Sequence, residues 1–426
     1  MSDNPQKPRV SVIQAGARMH YAVPILLHRQ GMLERLYTDI YADGNSLLGF
    51  SKRVWPKGVP QGPIKHIFQR STSELPASKV TSFDLIGIRY ATALRMASNK
   101  QRTNLYLRHA KSFLTKIAEQ QSIFDSTIVY GFSHVMMEIL EHLQHHDVKI
   151  VLEQQTPPTS EYAYQVNQES ELWPSWECNT PIFWDIHKWT QRENAEWSAA
   201  DRILVPSSYV QEQLILRGVA DHKIMCVPYG VSTHLYKGAV SNYEPTRPLR
   251  ILFVGRVQLA KGVQYLIEAL KYLKPNNVEI RLVGGLHIQR EYLVAPNASI
   301  EVIGRVPRSE VQRHYAWADV FVLPSVCEGS ATVVYEALAN GLPVITTPNS
   351  GTLVEEGKTG FIVPVRDSEQ IADRLSRFVD EPLLVEQMSQ TALDGAEKYS
   401  WENYERNLTA AIWNLTNNKE IAKSGS

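Results

Sequence analysis

Arg250-Ile-Leu-Phe-Val254 is an apolar run that stops at Gly255, and runs of this kind recur along the chain with helical patterns between them. A strand apolar on both sides must be covered on both faces, and such strands join in parallel through helical crossovers. The second half carries this rhythm most clearly. Val263 to Leu273 has helical spacing at Val263, Leu266, Ile267 and Leu270. Strands are expected at Val278 to Val283, Ser299 to Ile303, Val320 to Leu323 and Pro343 to Thr346, with helices around Glu310 to Trp317 and after Gly329. The first half repeats it with strand-like runs at Val10 to Ile13, Thr127 to Tyr130, Lys149 to Leu152 and Arg202 to Val205. Its helical patterns include one through Leu26, Leu27 and Leu33, and others at Phe113 to Ile117 and Tyr209 to Leu216.

Two α/β domains follow, each a doubly wound, Rossmann-like sheet. They comprise residues 1–235 and 250–395, joined by a Gly-, Pro-, Asn- and Ser-rich linker at 236–249. Residues 396–426 form a last helix, Trp401 to Leu415, and a tail. Its apolar face at Leu408, Ala411, Ile412 and Leu415 needs a surface to pack on, and the first domain is the candidate. Two such domains face a cleft at the carboxyl ends of their strands, where a ligand can be held.

Composition narrows the class. With 43% hydrophobic and 21% charged residues and no apolar run long enough to cross a bilayer, the chain reads as globular. The polar start, Met1 to Arg9, and three scattered cysteines, Cys178, Cys226 and Cys327, give the expectation of a cytoplasmic protein with reduced thiols. The net charge of +0 conceals an asymmetry: residues 51–117 hold thirteen Lys and Arg against Glu74 and Asp84. Such a span is either a set of solvated helix faces or a basic surface for an anionic partner, including a peripheral membrane contact. No nucleic-acid motif accompanies it, so nucleic acid is not expected as a partner.

The segment Glu328-Gly-Ser-Ala-Thr-Val-Val-Tyr-Glu336 lies between a strand end at Leu323-Pro-Ser325 and a helix stopped by Gly341. Ser330 or Thr332 is expected to cap that helix, and the amides of Ser330, Ala331, Thr332 and Val333 to face the cleft as a phosphate site. Glu336, one turn on, would face the cleft too. Beside a phosphate site, a carboxylate suits a neutral hydroxylated group such as ribose. Taken alone, the two acids read more readily as a helix cap, Glu328, and an ordinary surface acid, Glu336. A second loop changes the balance: Arg256 follows the strand at Phe253-Val-Gly255, and Lys261-Gly262 opens the next helix. Two cations opposite a helix N-terminus suit a diphosphate.

These residues in this order resemble the retaining glycosyltransferases of family 4, the group 1 glycosyl transferases with the GT-B fold. The resemblance rests on Phe253 to Lys261, Gly304, Ala318 to Ser325 and Glu328 to Ile345, with weaker matches at Ala200 to Ser208 and Val227 to Val231. It implies that Arg256 and Lys261 hold the diphosphate of a sugar-nucleotide donor. Glu328 would contact the transferred sugar, Glu336 the ribose, and Gly304 the base. It also implies metal-independent catalysis with no cofactor, cationic side chains and helix dipoles standing in for a metal. The chain departs from the family's usual aromatic and glycine at Ser330 and Ala331, and Tyr229 stands where Asn is frequent.

In the first half, Gln14-Ala-Gly-Ala-Arg-Met-His20 occupies the place of the family's glycine loop, with Gly16 permitting close approach and Arg18 and His20 as local candidates. His134 has the place of a histidine that contacts donor sugar in related enzymes, although a lone His at a strand end is commonly structural. Glu153 is a weaker candidate. Trp173, Trp176, Trp184, Trp189 and Trp197 form either an acceptor platform or an aromatic core, the core being the plainer reading.

The expected function is therefore transfer of a sugar, with retention, from a nucleoside-diphosphate sugar to a carbohydrate or lipid-linked acceptor in polysaccharide or glycolipid synthesis. A sugar-nucleotide epimerase or hydrolase, and a non-catalytic nucleotide- or glycan-binding partner subunit, are the rival readings. No G-x-G-x-x-G follows a strand, which disfavours a nicotinamide enzyme.

Overall fold

The computed structural model describes residues 7–42, 70–177, 185–233, 238, 240–241 and 243–417. Lys52, Arg53, Lys57 and Lys65 of the basic span, together with Cys178 and Trp184, lie outside the described residues, as does part of the linker.

The first sheet contains β1 (Val10–Gln14), β2 (Leu33–Thr38), β3 (Val80–Ser82), β4 (Ile128–Phe132), β5 (Lys149–Glu153), β6 (Arg202–Val205) and β7 (Ile224–Cys226), in spatial order β3-β2-β1-β4-β5-β6-β7. Its helices are α1 (Ala22–Arg29), α2 (Asp84–Met96), α3 (Asn99–Ala118), α4 (Met137–Gln144), α5 (Thr159–Leu172), α6 (Ile186–Ala199) and α7 (Ser208–Ile215). The second sheet has β8 (Leu249–Val254), β9 (Val278–Val283), β10 (Ala298–Gly304), β11 (Val320–Leu323), β12 (Val344–Thr346) and β13 (Gly360–Ile362), in order β10-β9-β8-β11-β12-β13. With it go α8 (Val263–Ala269), α9 (Arg308–Trp317), α10 (Thr332–Ala339), α11 (Ser368–Asp380), α12 (Pro382–Asp394) and α13 (Trp401–Asn417). Every pairing within both sheets is parallel.

The apolar runs behave as their composition requires: β4, β11 and β12 are buried along their whole length. Leu33 departs from the helical reading. Gln30 and Gly31 close α1, Gly31 with φ +66°, and Leu33 opens β2 beside β1. An apolar residue four to seven positions after helical ones fits either element, and the intervening glycine decides it.

The last helix returns to the first domain. Trp401 Nε1 donates to Ser232 Oγ at 3.1 Å, Gln30 Nε2 donates to Glu405 Oε1 at 2.7 Å, and Tyr404 packs edge-on against Tyr229. A second bridge runs the other way through α5. Buried Glu169 accepts from Arg366 Nε at 2.6 Å, and from Gln264 Nε2 and Tyr265 Oη at 2.7 Å each. Trp173 and Trp176 join this side, Trp173 Nε1 donating to Tyr265 Oη and Trp176 stacking on Tyr292. Trp197 is buried with its Nε1 on Gln154 Oε1, and Trp189 packs against Tyr106 and His134. The described tryptophans serve packing between elements, as the plainer reading held.

Candidate functional site

A cavity of about 500 Å3 opens between the two sheets at the carboxyl ends of their strands. Its walls take Arg18 and Met19 from the turn after β1, and Gln155, Thr156 and Pro157 from the loop after β5. Gly255, Arg256, Gln258 and Lys261 follow β8, and Cys327 through Val333 follow β11. Parallel strands all end at one edge, so residues distant in sequence converge there.

Lys261 is placed by the turn before it. Gly262 has φ +73°, and a Cβ there would sit 1.8 Å from Pro324 O, so only glycine lets this turn lie on the end of β11. The amides of Val326 and Cys327 donate to Ala260 O, which ties the two loops together. Lys261 Nζ then forms an ion pair with Glu328, each side chain being largely buried. Ser325 Oγ also donates to Glu328 Oε2, at 3.3 Å. Arg256 is exposed and has no ion pair among the described residues. Its charge is nonetheless felt: burial first, and then Arg256 and Arg305, hold His287 below the ordinary histidine value.

The loop from Glu328 to Ala331 is seated against the first domain. Gly329 O accepts from Ser207 Oγ at 2.5 Å, and a Cβ on Gly329 would sit 2.0 Å from Gln155 O. Helix α10 begins with Ala331 as its N-cap, and no side chain caps it. Capping by Ser330 or Thr332 is thus corrected: the Ser330 hydroxyl is taken by Tyr335 Oη at 2.5 Å. The Ala331 amide is not available either, since it donates to Ser350 O at 2.9 Å. The first-turn amides of Thr332 and Val333 remain, and both residues line the cavity.

Arg18 supplies a third cation. Buried Glu153 at the end of β5 accepts from Tyr130 Oη and, at 2.7 Å, from Tyr229 Oη. Arg18 lies on this group, its Nε 3.9 Å from Glu153 Oε1 and its guanidinium 5.6 Å above the Phe132 ring. Glu153 therefore holds Arg18 at the wall from behind, and the cavity itself shows three cations against one carboxylate, Glu328.

The other expected residues stand outside these walls. Gly16, with φ +78°, donates its amide to Asp39 Oδ1 at 2.7 Å, while Met19, His20 and Tyr21 turn left-handed after it. His134 Nε2 meets Glu193 Oε1 at 3.0 Å and Thr159 Oγ1 at 3.2 Å, behind the Thr156–Pro157 wall. Glu336 is not among the residues that line this cavity. It accepts from Tyr315 Oη at 2.9 Å, and Arg308 lies 3.7 Å away. Gly304 ends edge strand β10, its carbonyl accepting from Gly284 N, with open space where a side chain would be.

Sequence reasoning missed Gln155 to Pro157, Tyr162, Gln258 and the cavity position of Cys327. The signal for Gln155 to Pro157 was present, because they directly follow a buried strand that ends at the cleft. Cys327 Sγ lies 3.4 Å from Tyr209 Oη, and burial pushes its thiol up to about 12, so it is no nucleophile at neutral pH. Among the described residues, no group of three His, Cys, Asp or Glu is arranged to hold a metal ion.

Residues 248–381 match the family model described as Glycosyl transferases group 1. Among curated proteins, the chain is 27% identical to a sulfoquinovosyl transferase of Arabidopsis thaliana, over 56% of this chain and 52% of that protein. It is 31% identical to a putative colanic acid biosynthesis glycosyltransferase of Salmonella typhimurium, over 39% of this chain and 46% of that one. The matched stretches thus span about half the length of these relatives. Among solved structures, the Anabaena protein HepE in complex with UDP and glucose superposes with a TM-score of 0.60 at 14% identity, covering 95% of this chain and 99% of that one. A sucrose-phosphate synthase from Thermosynechococcus elongatus gives 0.59 at 16%, covering 96% and 99%. The GT-B arrangement of two facing Rossmann-like domains extends over the chain, and the second domain carries the group 1 glycosyltransferase pattern.

Proposed function

We propose that this chain, a relative of the group 1 glycosyltransferases through residues 248–381, moves a sugar from a nucleoside-diphosphate sugar to an acceptor hydroxyl with retention of configuration. The observation that carries this reading is the pairing, in one cavity, of Arg256 and Lys261 with the first-turn amides of Thr332 and Val333. Two cations and a helix start converge where a diphosphate would lie, and each gains strength as the leaving group acquires charge. A diphosphate arriving there competes with Glu328 for Lys261, which releases the Glu328 carboxylate toward hydroxyls of the transferred sugar. The same cations take the part a metal ion plays elsewhere, so turnover is expected to survive a chelator. That similar structures hold UDP with glucose, or UDP alone, supports a donor of this class.

Glu336 is assigned to the donor ribose and Gly304 to the side of the base, one turn of helix and one strand end from the cavity. Gly16 lets the turn carrying Arg18 approach the donor. His134, joined to Thr159 at the start of α5, positions the Thr156–Pro157 wall. The acceptor hydroxyl attacks from the face the diphosphate leaves, with positioning and charge stabilisation carrying the rate. The acceptor is a carbohydrate or lipid-linked molecule of polysaccharide or glycolipid synthesis, met at the cytoplasmic face of a membrane. Arg89, Arg95, Arg102 and Lys111, exposed on α2 and α3, support the membrane contact. No helix among the described residues is long and apolar enough to cross a membrane.

The test is a thermal-shift panel of sugar nucleotides, followed by product analysis with the responding donor. A true donor at ~100 times its dissociation constant raises stability by about 2.7 kcal/mol. Transfer only when an acceptor is present excludes an epimerase or hydrolase, and turnover of any kind excludes a silent binding subunit. A β-linked product from an α-linked donor would overturn retention. Glu336→Ala should weaken nucleotide binding, and unchanged affinity there would remove Glu336 from the site.

A further inference from the structure

The helical hairpin of α2 and α3 encloses a separate groove of about 280 Å3, lined by Arg89, Tyr90, Arg108, His109 and Ser112 with Ile86, Ala93 and Leu105. Its two arginines are exposed and have no carboxylate partner among the described residues. Its floor is unusual. The His109 side chain is 2% exposed, stacked on Tyr90 with centroids 4.2 Å apart, yet neither ring nitrogen has a hydrogen-bond partner among the described residues. Nε2 lies 3.5 Å from Asp39 Oδ2. A buried polar nitrogen left unpaired is costly, and such groups are rare unless a ligand or water completes them.

Asp39 and Asp84 have other partners. Asp39 is occupied by the Gly16 amide, by Arg70 at 3.5 Å and by His109, and Asp84 accepts from the Tyr41 amide at 3.0 Å. Two guanidinium forks, two hydroxyls and an imidazole N–H around one small opening match the oxygens of a phosphate. The groove is about half the volume of the cleft cavity, which suits a phosphate on a small substituent rather than a second sugar nucleotide.

We propose that the groove between α2 and α3 binds a phosphate ester, with Arg89 and Arg108 at its mouth and His109 donating at its floor. Asp39 connects the groove to the cleft, since its other oxygen accepts from Gly16 in the loop before Arg18. A phosphate-bearing acceptor held here would be linked through Asp39 and the Gly16 loop to Arg18 at the cavity wall. That role rests on the glycosyltransferase reading; the binding itself does not. Two sources share the chemistry: a soluble phosphate ester and the headgroup of an anionic lipid.

The full chain, labelled with 15N at histidine, is titrated with inorganic phosphate and with glycerol 3-phosphate at constant ionic strength. Flotation with phosphatidylcholine vesicles, with and without phosphatidic acid, runs alongside. The expected result is a saturable shift of the His109 signal, abolished in Arg89→Gln/Arg108→Gln. That shift marks a soluble ester as ligand. Flotation that needs phosphatidic acid and falls at least about tenfold in the same variant marks the lipid headgroup. His109→Gln, which keeps a donor at the floor, should retain part of the affinity. The proposal is overturned if His109 does not respond and flotation is indifferent to phosphatidic acid, or if the double variant behaves as the parent in both assays. A sugar-nucleotide thermal shift on the same samples separates this outcome from failure of the donor site, because the variants leave that response intact.

Discussion

Replacing Gly329 by alanine adds one methyl group at a close approach between the two domains. That Cβ would lie 2.0 Å from Gln155 O and 2.9 Å from Thr156 Cα, both backbone atoms of the opposing domain. An ordinary contact begins at 3.4 Å, so about 1.4 Å more is needed to Gln155 O, and neither neighbour is a flexible side-chain end. The two walls must therefore part. The 2.5 Å bond from Ser207 Oγ to Gly329 O would open beyond hydrogen-bonding distance. Overpacking costs about 1–3 kcal/mol and the lost buried bond about 1 kcal/mol, together about 2–4 kcal/mol. The apparent thermal midpoint should drop by roughly 5–15 °C. Because Glu328 and the α10 amides move with this loop, turnover should also fall by about a hundredfold, as for a 1 Å misplacement of reacting groups. Scanning calorimetry and steady-state transfer rates measure the two effects. Gly395→Ala is the control: its nearest neighbour would be at 3.4 Å, and a change within about 0.5 kcal/mol is expected. A Gly329→Ala protein that matches the parent in midpoint and rate would refute the close approach of the domains at this loop.

Arg256→Ala should lower kcat/KM by about 10²- to 10³-fold, with the thermal midpoint nearly unchanged since this side chain has no ion pair among the described residues; full retention of rate would remove Arg256 from the site. Glu169→Ala deprives Arg366, Gln264 and Tyr265 of their common acceptor and should cost about 3 kcal/mol in denaturant unfolding. A loss below about 1 kcal/mol would show that this joint contributes little. Burial alone would raise the Asp39 pKa, but the adjacent His109 ring, the charge of Arg70 and the Gly16 amide outweigh it and hold it below the ordinary value. Its stabilisation is thus complete above about pH 4 and is lost as the pH falls through the lower folded value, so Asp39→Asn should flatten the acid limb followed by circular dichroism. Cys327, with its thiol at about 12, should resist alkylation at pH 8 until the chain unfolds, and rapid labelling of the native protein, read by mass spectrometry, would contradict its burial.

Long apolar runs were legible because a strand covered on both faces has to be apolar throughout. Val278–Val283, Val320–Leu323 and Arg202–Val205 lie where the pattern placed them. The short β12 and the mixed β10 were also placed, but β2 and β3 were not. β3 is three half-buried residues, Val-Thr-Ser, and β2 mixes Glu34 and Arg35 with apolar neighbours at its more open end. At the cavity, Arg256, Lys261, Glu328, Thr332 and Val333 could be nominated because each follows a strand or opens a helix, positions that local sequence marks.

What the sequence determined by itself, then, is the alternating α/β class, the strand ends that meet the cleft, and the residue types offered there. Tertiary structure alone decided which of them share a cavity. Glu336 and Asn340 follow Thr332 at helical spacing, yet Glu336 is paired with Tyr315 and Arg308 from α9 and is not among the cavity-lining residues. Arg18 became a cavity residue because Glu153, Tyr229 and Phe132, each from a different strand end or loop, hold it there. The Ala331 amide lost its place because Ser350, nineteen residues on, accepts from it. Periodicity reports which face of an element a side chain occupies. Its partners are set by how elements distant in sequence pack, and those contacts leave no local trace.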